Sequence, residues 1–209
     1  MERISASTIR RISGYLRVLD DLVEQREELA SSMELAERTG VSPAQVRKDL
    51  SHFGSFGRRG YGYEVDSLRT AIRGILGLSR RWRVAIVGAG NVGTALFSYK
   101  EFAERGFDVV AVFDNAADRI GQRLGDGLVV EPMSRFAEIA RERAVEIGVI
   151  ATPARAAQEA ADTVVAAGVR ALLNFAPRKL AVPRGVTLRD VNLAVELESL
   201  AFALRAGAR

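Results

Sequence analysis

The chain has 209 residues, of which 48% are hydrophobic and 27% charged, an ordinary composition for one large or two small globular domains. It has no cysteine, which excludes a disulfide framework, a thiolate zinc site and a thiol redox switch. No apolar run approaches the roughly 20 residues that span a bilayer, and the N-terminus lacks a signal-peptide pattern, so we expect a cytoplasmic protein with no membrane partner. We also expect no metal partner.

The net charge of +4 is carried by the first 83 residues, and residues 40–83 hold nine Lys and Arg against three Asp and Glu. Such a segment is expected of a phosphate-binding surface. A solvated basic face would have the same composition, so charge alone leaves both interpretations open.

The N-terminal third predicts three helices, a hairpin and a fourth helix. Apolar residues at three- and four-residue spacing predict an amphipathic helix over residues 7–25. A short second helix ends at Gly40, and Ser42 and Pro43 provide an N-cap and a first-turn proline for the third. Glycines, aromatics and two arginines in residues 55–65 predict the hairpin. This order is that of a winged helix.

The third helix has the pattern of a recognition helix. Val46 and Leu50 lie four positions apart and predict one apolar face. The other faces are left to polar residues, namely Arg47, Lys48, Ser51 and His52.

From residue 81 onward, strands alternate with helices, which predicts βαβ units and a Rossmann-like parallel sheet in an α/β fold. Residues 193–207 form a wide apolar surface that predicts packing against another subunit. We therefore expect a DNA-binding domain over residues 1–80, a nucleotide-binding domain over 81–191 and a dimerisation helix over 192–209. Candidate strands cover residues 83–87, 108–113, 127–130, 146–151, 170–174 and 186–190, and candidate helices lie near 92–105, 134–144 and 154–167.

A glycine-rich turn joins the first of these strands to a helix, the context in which the GxGxxG pattern is specific. Its glycines permit a tight turn, close approach of the backbone to a pyrophosphate, and close packing of helix on strand. Asp114 ends the next strand 21 residues after Gly93, where a carboxylate accepts hydrogen bonds from ribose hydroxyls and repels a 2′-phosphate. NAD(H) is thus favoured over NADP(H), with CoA, another nucleotide or no ligand as the alternatives. The turn consists of Gly88, Ala89, Gly90, Asn91, Val92 and Gly93.

Two further loops follow strands at the carboxyl edge of the sheet, where open α/β sheets bind ligands. If they build an apolar pocket, the uncharged ring of NADH enters at less cost than the charged ring of NAD⁺. Taken singly, each proline in these loops is more typical of a simple strand-ending loop. The loops contain Thr152 and Pro153, and Asn174, Phe175, Ala176 and Pro177.

Groups for acid–base catalysis are scarce in the second half of the chain. The single histidine, His52, lies on the predicted recognition helix, and Tyr99 lacks the lysine four residues later that short-chain dehydrogenases use. Ligand-controlled DNA binding therefore explains more of the chain than catalysis, and no catalytic residue is assigned.

Together these motifs resemble the Rex family of redox-sensing transcriptional repressors over essentially the whole chain. The resemblance is carried by VRKDLSHFGSFGRRGYGY, by VGAGNVGTAL followed by FD, and by LLNFAP with VNLAVELESLAFAL. It implies a homodimer that binds palindromic operator DNA at low NADH and releases it when NADH binds, with NAD⁺ competing. It also implies a C-terminal helix swapped between subunits.

The resemblance further implies site residues. The wing arginines Arg58 and Arg59 would reach the minor groove, where arginine suits a narrow and negative channel. A switch cluster would use Arg17 and Tyr99, the latter also near the cofactor, but Asn192 stands at the family's aspartate position, with Asp190 two residues earlier. Because asparagine forms no ion pair, we expect a weaker switch or another partner. The recognition helix would contact DNA through Gln45, Arg47, Lys48, Ser51 and His52.

Two other functions stay open on the residues alone. One is an NAD-dependent oxidoreductase with a helical extension. The other is a regulator that responds to CoA or another nucleotide, for which Asp114 would be irrelevant.

Overall fold

The computed structural model describes residues 4–58 and 61–207. The chain divides into two compact units, Met1–Arg80 and Arg81–Arg209.

The first unit is a winged helix, as the sequence predicts. Its small antiparallel sheet has the order β1-β3-β2. The first strand was not predicted, because two residues are too few to show a strand periodicity. The elements are α1 (Ala6–Glu24), β1 (Leu29–Ala30), α2 (Ser32–Thr39), α3 (Pro43–Ser51), β2 (Gly57–Arg58), β3 (Gly62–Glu64) and α4 (Val65–Ile75).

Local capping explains the tight turn between α2 and α3. Gly40 ends α2 with a φ of 70°, a left-handed conformation that suits glycine. The hydroxyl of Ser42 then accepts a hydrogen bond from the backbone N–H of Gln45, and Pro43 occupies the first turn of α3. Val46 and Leu50 are buried, which confirms the predicted apolar face and leaves the opposite face to solvent.

The second unit is a six-stranded parallel sheet with the order β6-β5-β4-β7-β8-β9. The strand order reverses between β4 and β7, which is the point where doubly wound sheets bind nucleotides. Its strands are β4 (Trp82–Val87), β5 (Phe107–Asp114), β6 (Val130–Pro132), β7 (Ile147–Ile150), β8 (Ala171–Asn174) and β9 (Thr187–Asp190), and its helices are α5 (Asn91–Phe97), α6 (Glu101–Glu104), α7 (Phe136–Glu142), α8 (Ala154–Ala166) and α9 (Leu193–Gly207).

Two predicted elements differ from the structure. The helix predicted over residues 92–105 is divided into α5 and α6, because hydrogen bonds from Tyr99 to Leu96 and from Phe102 to Tyr99 tighten the chain into turns. The strand predicted over residues 127–130 pairs with β5 only from Val130, since Gly127 ends a short 3₁₀ helix (Gly125–Gly127) with a φ of 76°.

Alternate residues of β4 pack on the two faces of the sheet. Ala85 and Val87 belong to the core on one side, while Val84 and Ile86 belong to the core on the other. The central strand is therefore buried on both faces, as parallel sheets require.

The last helix, α9, is exposed along its described side chains, and its large apolar residues are about half or more accessible. No described helix is both long and apolar enough to cross a membrane.

Candidate dinucleotide site and DNA-binding surface

A cleft of about 740 Å³ opens at the carboxyl ends of β4 and β7, where the strand order reverses. This is the position predicted for the dinucleotide. The predicted cofactor residues that line the cleft are Gly88, Gly90, Asn91, Val92, Asp114, Thr152, Pro153, Phe175 and Pro177.

Glycine is required at two positions of the turn beside this cleft. Gly88 has a φ of +106°, and a Cβ atom there would lie 2.6 Å from the carbonyl oxygen of Ala151. A Cβ atom on Gly93 would lie 1.7 Å from the carbonyl oxygen of Gly88. The turn therefore presents bare backbone to the cleft, as close approach to a pyrophosphate needs.

Asp114 ends β5 beside the glycine turn. Its Oδ2 accepts hydrogen bonds from the backbone N–H of Ala89 at 2.7 Å and from Arg119 Nη1 at 3.1 Å, and its Oδ1 accepts from the backbone N–H of Ala116 at 2.8 Å. Burial by itself raises the pKa of Asp114, but these hydrogen bonds outweigh burial and hold the pKa below its ordinary value. Asp114 is therefore an anionic acceptor at neutral pH.

Arg119 was not predicted as a site residue. It lies over the turn, with its Nη1 3.3 Å from where a Cβ atom of Gly90 would stand, and it pairs with Asp114. No spacing rule marks a basic residue five positions after the acid, so nothing in the sequence singled it out. The other lining residues that were missed are Val87, Asn115, Ala116, Met133, Arg155, Ala156, Glu159, Ala160 and Thr163.

Thr152 carries a buried hydroxyl at the end of β7. Its Oγ1 has no hydrogen-bond partner among the described residues. Because a buried polar atom costs free energy unless it is paired, this hydroxyl suits a polar group of a bound ligand. The bare glycine turn, the anionic Asp114 and this hydroxyl all fit a dinucleotide.

Some predicted cofactor residues shape the cleft rather than line it. Ala89, Gly93 and Ala176 are buried beneath its surface. Asn174 is 1% exposed, and its side chain donates to the carbonyl of Arg178 and to Asp190 while accepting from the backbone N–H of Ala176. Asn174 thus holds the loop that carries Phe175 and Pro177.

The exposed face of α3 carries the predicted DNA contacts. Arg47, Lys48 and Ser51 are exposed, as is His52 at the end of the helix, and Gln45 is half-buried. Arg47 donates a hydrogen bond to Ser32 of α2 at 2.9 Å. Arg59 and the side chain of Arg58 lie outside the described residues, so the wing contacts stay predictions.

The three predicted switch residues occupy separate elements. Arg17 is exposed on α1. Tyr99 follows α5, stacks edge-on against Phe102 with ring centroids 5.2 Å apart, and donates its hydroxyl to Glu101. Asn192 precedes α9, where its Oδ1 accepts from the backbone N–H of Ala194 at 3.1 Å, as a helix cap does.

Comparison with protein families matched two models to this chain. Residues 3–51 match the family described as "Putative DNA-binding protein N-terminus", and residues 79–178 match the family described as "CoA binding domain".

Curated relatives match nearly the whole chain. "Redox-sensing transcriptional repressor Rex" of Desulforamulus reducens is 49% identical over 97% of this chain and 96% of the relative. The protein of the same name from Desulfitobacterium hafniense is 50% identical over 96% and 95%, and that from Streptomyces coelicolor is 47% identical over 95% and 77%.

Two solved structures also match the whole chain. RSP in complex with β-NAD⁺ and operator DNA superimposes with a TM-score of 0.92 at 34% identity, covering 100% of this chain and 95% of RSP. RSP in complex with β-NADH gives a TM-score of 0.89 at 33% identity, covering 100% and 97%.

Proposed function

The chain belongs to the Rex family of redox-sensing transcriptional repressors, and we propose on that basis that it binds operator DNA at low NADH and releases it when NADH binds. NADH and NAD⁺ compete for one site, so the protein responds to their ratio. The observation that carries this proposal is the cleft at the reversal of strand order, with its bare glycine turn and anionic Asp114.

We assign the dinucleotide to that cleft in a stated orientation. The glycine turn approaches the pyrophosphate, and Asp114 accepts from the adenosine ribose. Thr152, Phe175 and Pro177 then lie towards the nicotinamide. Apolar contacts there favour the uncharged ring of NADH over the cationic ring of NAD⁺.

We assign DNA recognition to α3 and the wing. Exposed cations on α3 supply phosphate contacts, and the wing arginines suit a narrow minor groove. A palindromic operator requires two such helices related by a twofold axis, which a homodimer provides. In the proposed dimer, α9 packs against the partner subunit, and this contact buries the apolar side chains of α9.

A regulator explains this cleft better than an enzyme does. The described residues that line it include no histidine, lysine, tyrosine or cysteine. An acid or base poised for hydride-transfer chemistry is usually one of these groups or a metal-bound water. The relatives are likewise named as repressors.

CoA is the second candidate ligand, because residues 79–178 match the family described as "CoA binding domain". The two ligands differ in what they ask of Asp114. Replacement of Asp114 by alanine should weaken NADH binding about tenfold or more, as loss of a charged hydrogen bond does. Tight CoA binding that is indifferent to this replacement would favour CoA instead.

The proposal is tested by calorimetric titration of the protein with NADH, NAD⁺, NADPH and CoA, repeated with a DNA duplex that the protein itself selects from a randomised pool. We expect NADH to bind most tightly and DNA to weaken that binding. By linkage, NADH must weaken DNA binding by the same factor. Equal NADH affinity for free and DNA-bound protein would overturn the proposal.

A further inference from the structure

A buried carboxylate lies under the exposed face of α3. Asp49 is 1% exposed, and it is the one charged residue among the described side chains that are both polar and buried, the others being Thr8 and Asn174. A buried charge is costly unless it is paired and hydrogen-bonded. The hydrogen-bond partners of Asp49 therefore show which side chains it positions.

Four hydrogen bonds converge on this carboxylate. Arg11 of α1 donates from Nε to Oδ2 at 2.6 Å and from Nη2 to Oδ1 at 2.8 Å. The hydroxyl of Tyr15, also on α1, donates to Oδ2 at 2.8 Å. The amide of Gln45 donates from Nε2 to Oδ1 at 2.7 Å. Each carboxylate oxygen thus accepts two hydrogen bonds, and the ionised Asp49 links α3 to α1.

The ion also fixes which way the Gln45 amide points. Burial by itself raises the pKa of Asp49, but the hydrogen bonds from Arg11, Tyr15 and Gln45 outweigh burial and hold the pKa below its ordinary value. An ionised carboxylate only accepts hydrogen bonds, so the NH₂ end of the amide must face it. The amide oxygen Oε1 of Gln45 is then left as an acceptor.

Gln45 stands where such orientation matters. It lies in the first turn of α3, three residues after the cap at Ser42, and it is half-buried rather than enclosed. In helix-turn-helix docking, the N-terminal residues of the recognition helix contact base edges. A glutamine reads adenine with its oxygen and an N–H together, so a flipped amide presents the wrong pattern.

We propose that Asp49 is a positioning residue for sequence recognition, which turns the Gln45 amide so that its oxygen is presented to a base edge. This inference rests on the proposed function, because it requires α3 to contact DNA. Asp49 itself touches no base; it acts through Gln45, while Arg11 and Tyr15 keep the ion in place.

The test is a base-by-base scan of a duplex that the wild-type protein selects from a randomised pool. Affinities are measured for the wild type, Asp49→Asn, Gln45→Ala and the double variant. Asparagine can face Gln45 with either end of its amide and so frees it to flip. We expect Asp49→Asn to lose about tenfold of discrimination at one base pair in each half-site, the same pair that Gln45→Ala affects. The double variant should lose no more.

A control separates this role from simple stability. Asp20→Asn removes the negative charge from another interhelical pair of the same unit, in which Arg69 donates to Asp20 at 2.7 Å, without involving α3. It should lower stability yet leave the base profile and the dependence of affinity on salt unchanged. If Asp49→Asn weakens all duplexes equally, or acts at a different base pair from Gln45→Ala, the inference is wrong.

A second measurement needs no change at Asp49, in case Asp49→Asn does not fold. In the ¹⁵N-labelled wild type, one of the two side-chain NH₂ protons of Gln45 should exchange with water more slowly than those of an exposed glutamine, because it is bonded to the carboxylate. Unprotected Gln45 amide protons would overturn the inference. Failure of the wild type to select DNA would instead defeat the proposed function itself.

Discussion

Gly93 leaves no room for a side chain, because a Cβ atom would lie 1.7 Å from the carbonyl oxygen of Gly88. Gly93→Ala must push the glycine turn away from the start of α5. We expect it to lower the free energy of unfolding by about 1–3 kcal/mol, as overpacking does, and to weaken NADH binding more than tenfold. Urea unfolding and NADH titration check the two effects.

The matched control is Gly74→Ala in α4, where a Cβ atom would lie 3.9 Å from the Ser79 hydroxyl. It should keep NADH affinity and slightly raise stability, because alanine is the better helix former. Normal NADH binding by Gly93→Ala would show that the turn does not hold the ligand.

The pH dependence of stability follows from Asp49. A carboxyl whose pKa is lowered by folding stabilises the protein fully above its unfolded pKa, and this contribution is lost as pH falls through the lowered value. Asp49→Asn should therefore destabilise the protein by about 1.5–3 kcal/mol at neutral pH, the range for hydrogen bonds to a charged group, because the Arg11 side chain that remains is 26% exposed. The difference from wild type should shrink as unfolding is measured at lower pH, down to the acid limit of folding.

A difference between the two proteins that is constant from neutral to acidic pH would contradict the ion pair with Arg11. Asp108→Asn is the comparison, because Asp108 pairs with Arg81 at a far more exposed site. Exposed pairs contribute about 1 kcal/mol or less, so its effect should be small at every pH.

At the scale of elements, local signals were enough to predict most helices and strands. Some signals act over only a few residues and can be recognised in the sequence, namely the caps at Gly40 and Ser42 and the turn from Gly88 to Gly93. The hydrogen bonds of Asp49 could not be, because Arg11 lies 38 positions away and only folding brings it near. The site was predictable on the same terms: Asp114 follows a motif, whereas Arg119 follows none.

The helix α9 carries a prediction of its own about assembly. Leu200→Glu should weaken the proposed dimer about tenfold or more, because burying a leucine stabilises by roughly 1.5–3 kcal/mol. Sedimentation equilibrium across a range of protein concentrations measures this. The control is Glu198→Gln on the same helix, which removes a charge but no apolar area and should leave the dimer intact. If the wild type and both variants dimerise equally, α9 is not part of the interface.

At the scale of the whole molecule, charge and ligand chemistry belong to different parts of the chain. The net charge of +4 is carried by the first 83 residues, whereas the remainder is balanced. A cation that contacts a DNA phosphate releases a counterion, so affinity falls with salt in proportion to the number of contacts.

Lys48→Gln should therefore lower DNA affinity for all sequences alike and reduce the slope of log affinity against log salt by about one. The measurement is a salt titration by fluorescence anisotropy with a labelled duplex. Lys100→Gln, in the second unit, is the control and should keep the wild-type slope. An unchanged slope for Lys48→Gln would mean that Lys48 touches no phosphate.

The side chains of α9 have one more consequence, which lies in their angular distribution. At about 100° per residue, Leu193, Leu197, Leu200 and Leu204 form one stripe, whereas Val195 and Phe202 fall on the opposite side of the helix. A helix lying on a single surface needs one stripe. Two opposed stripes, both exposed in one protomer, suit a helix that packs between two layers of protein. A displacement of such a helix would disturb both layers at once.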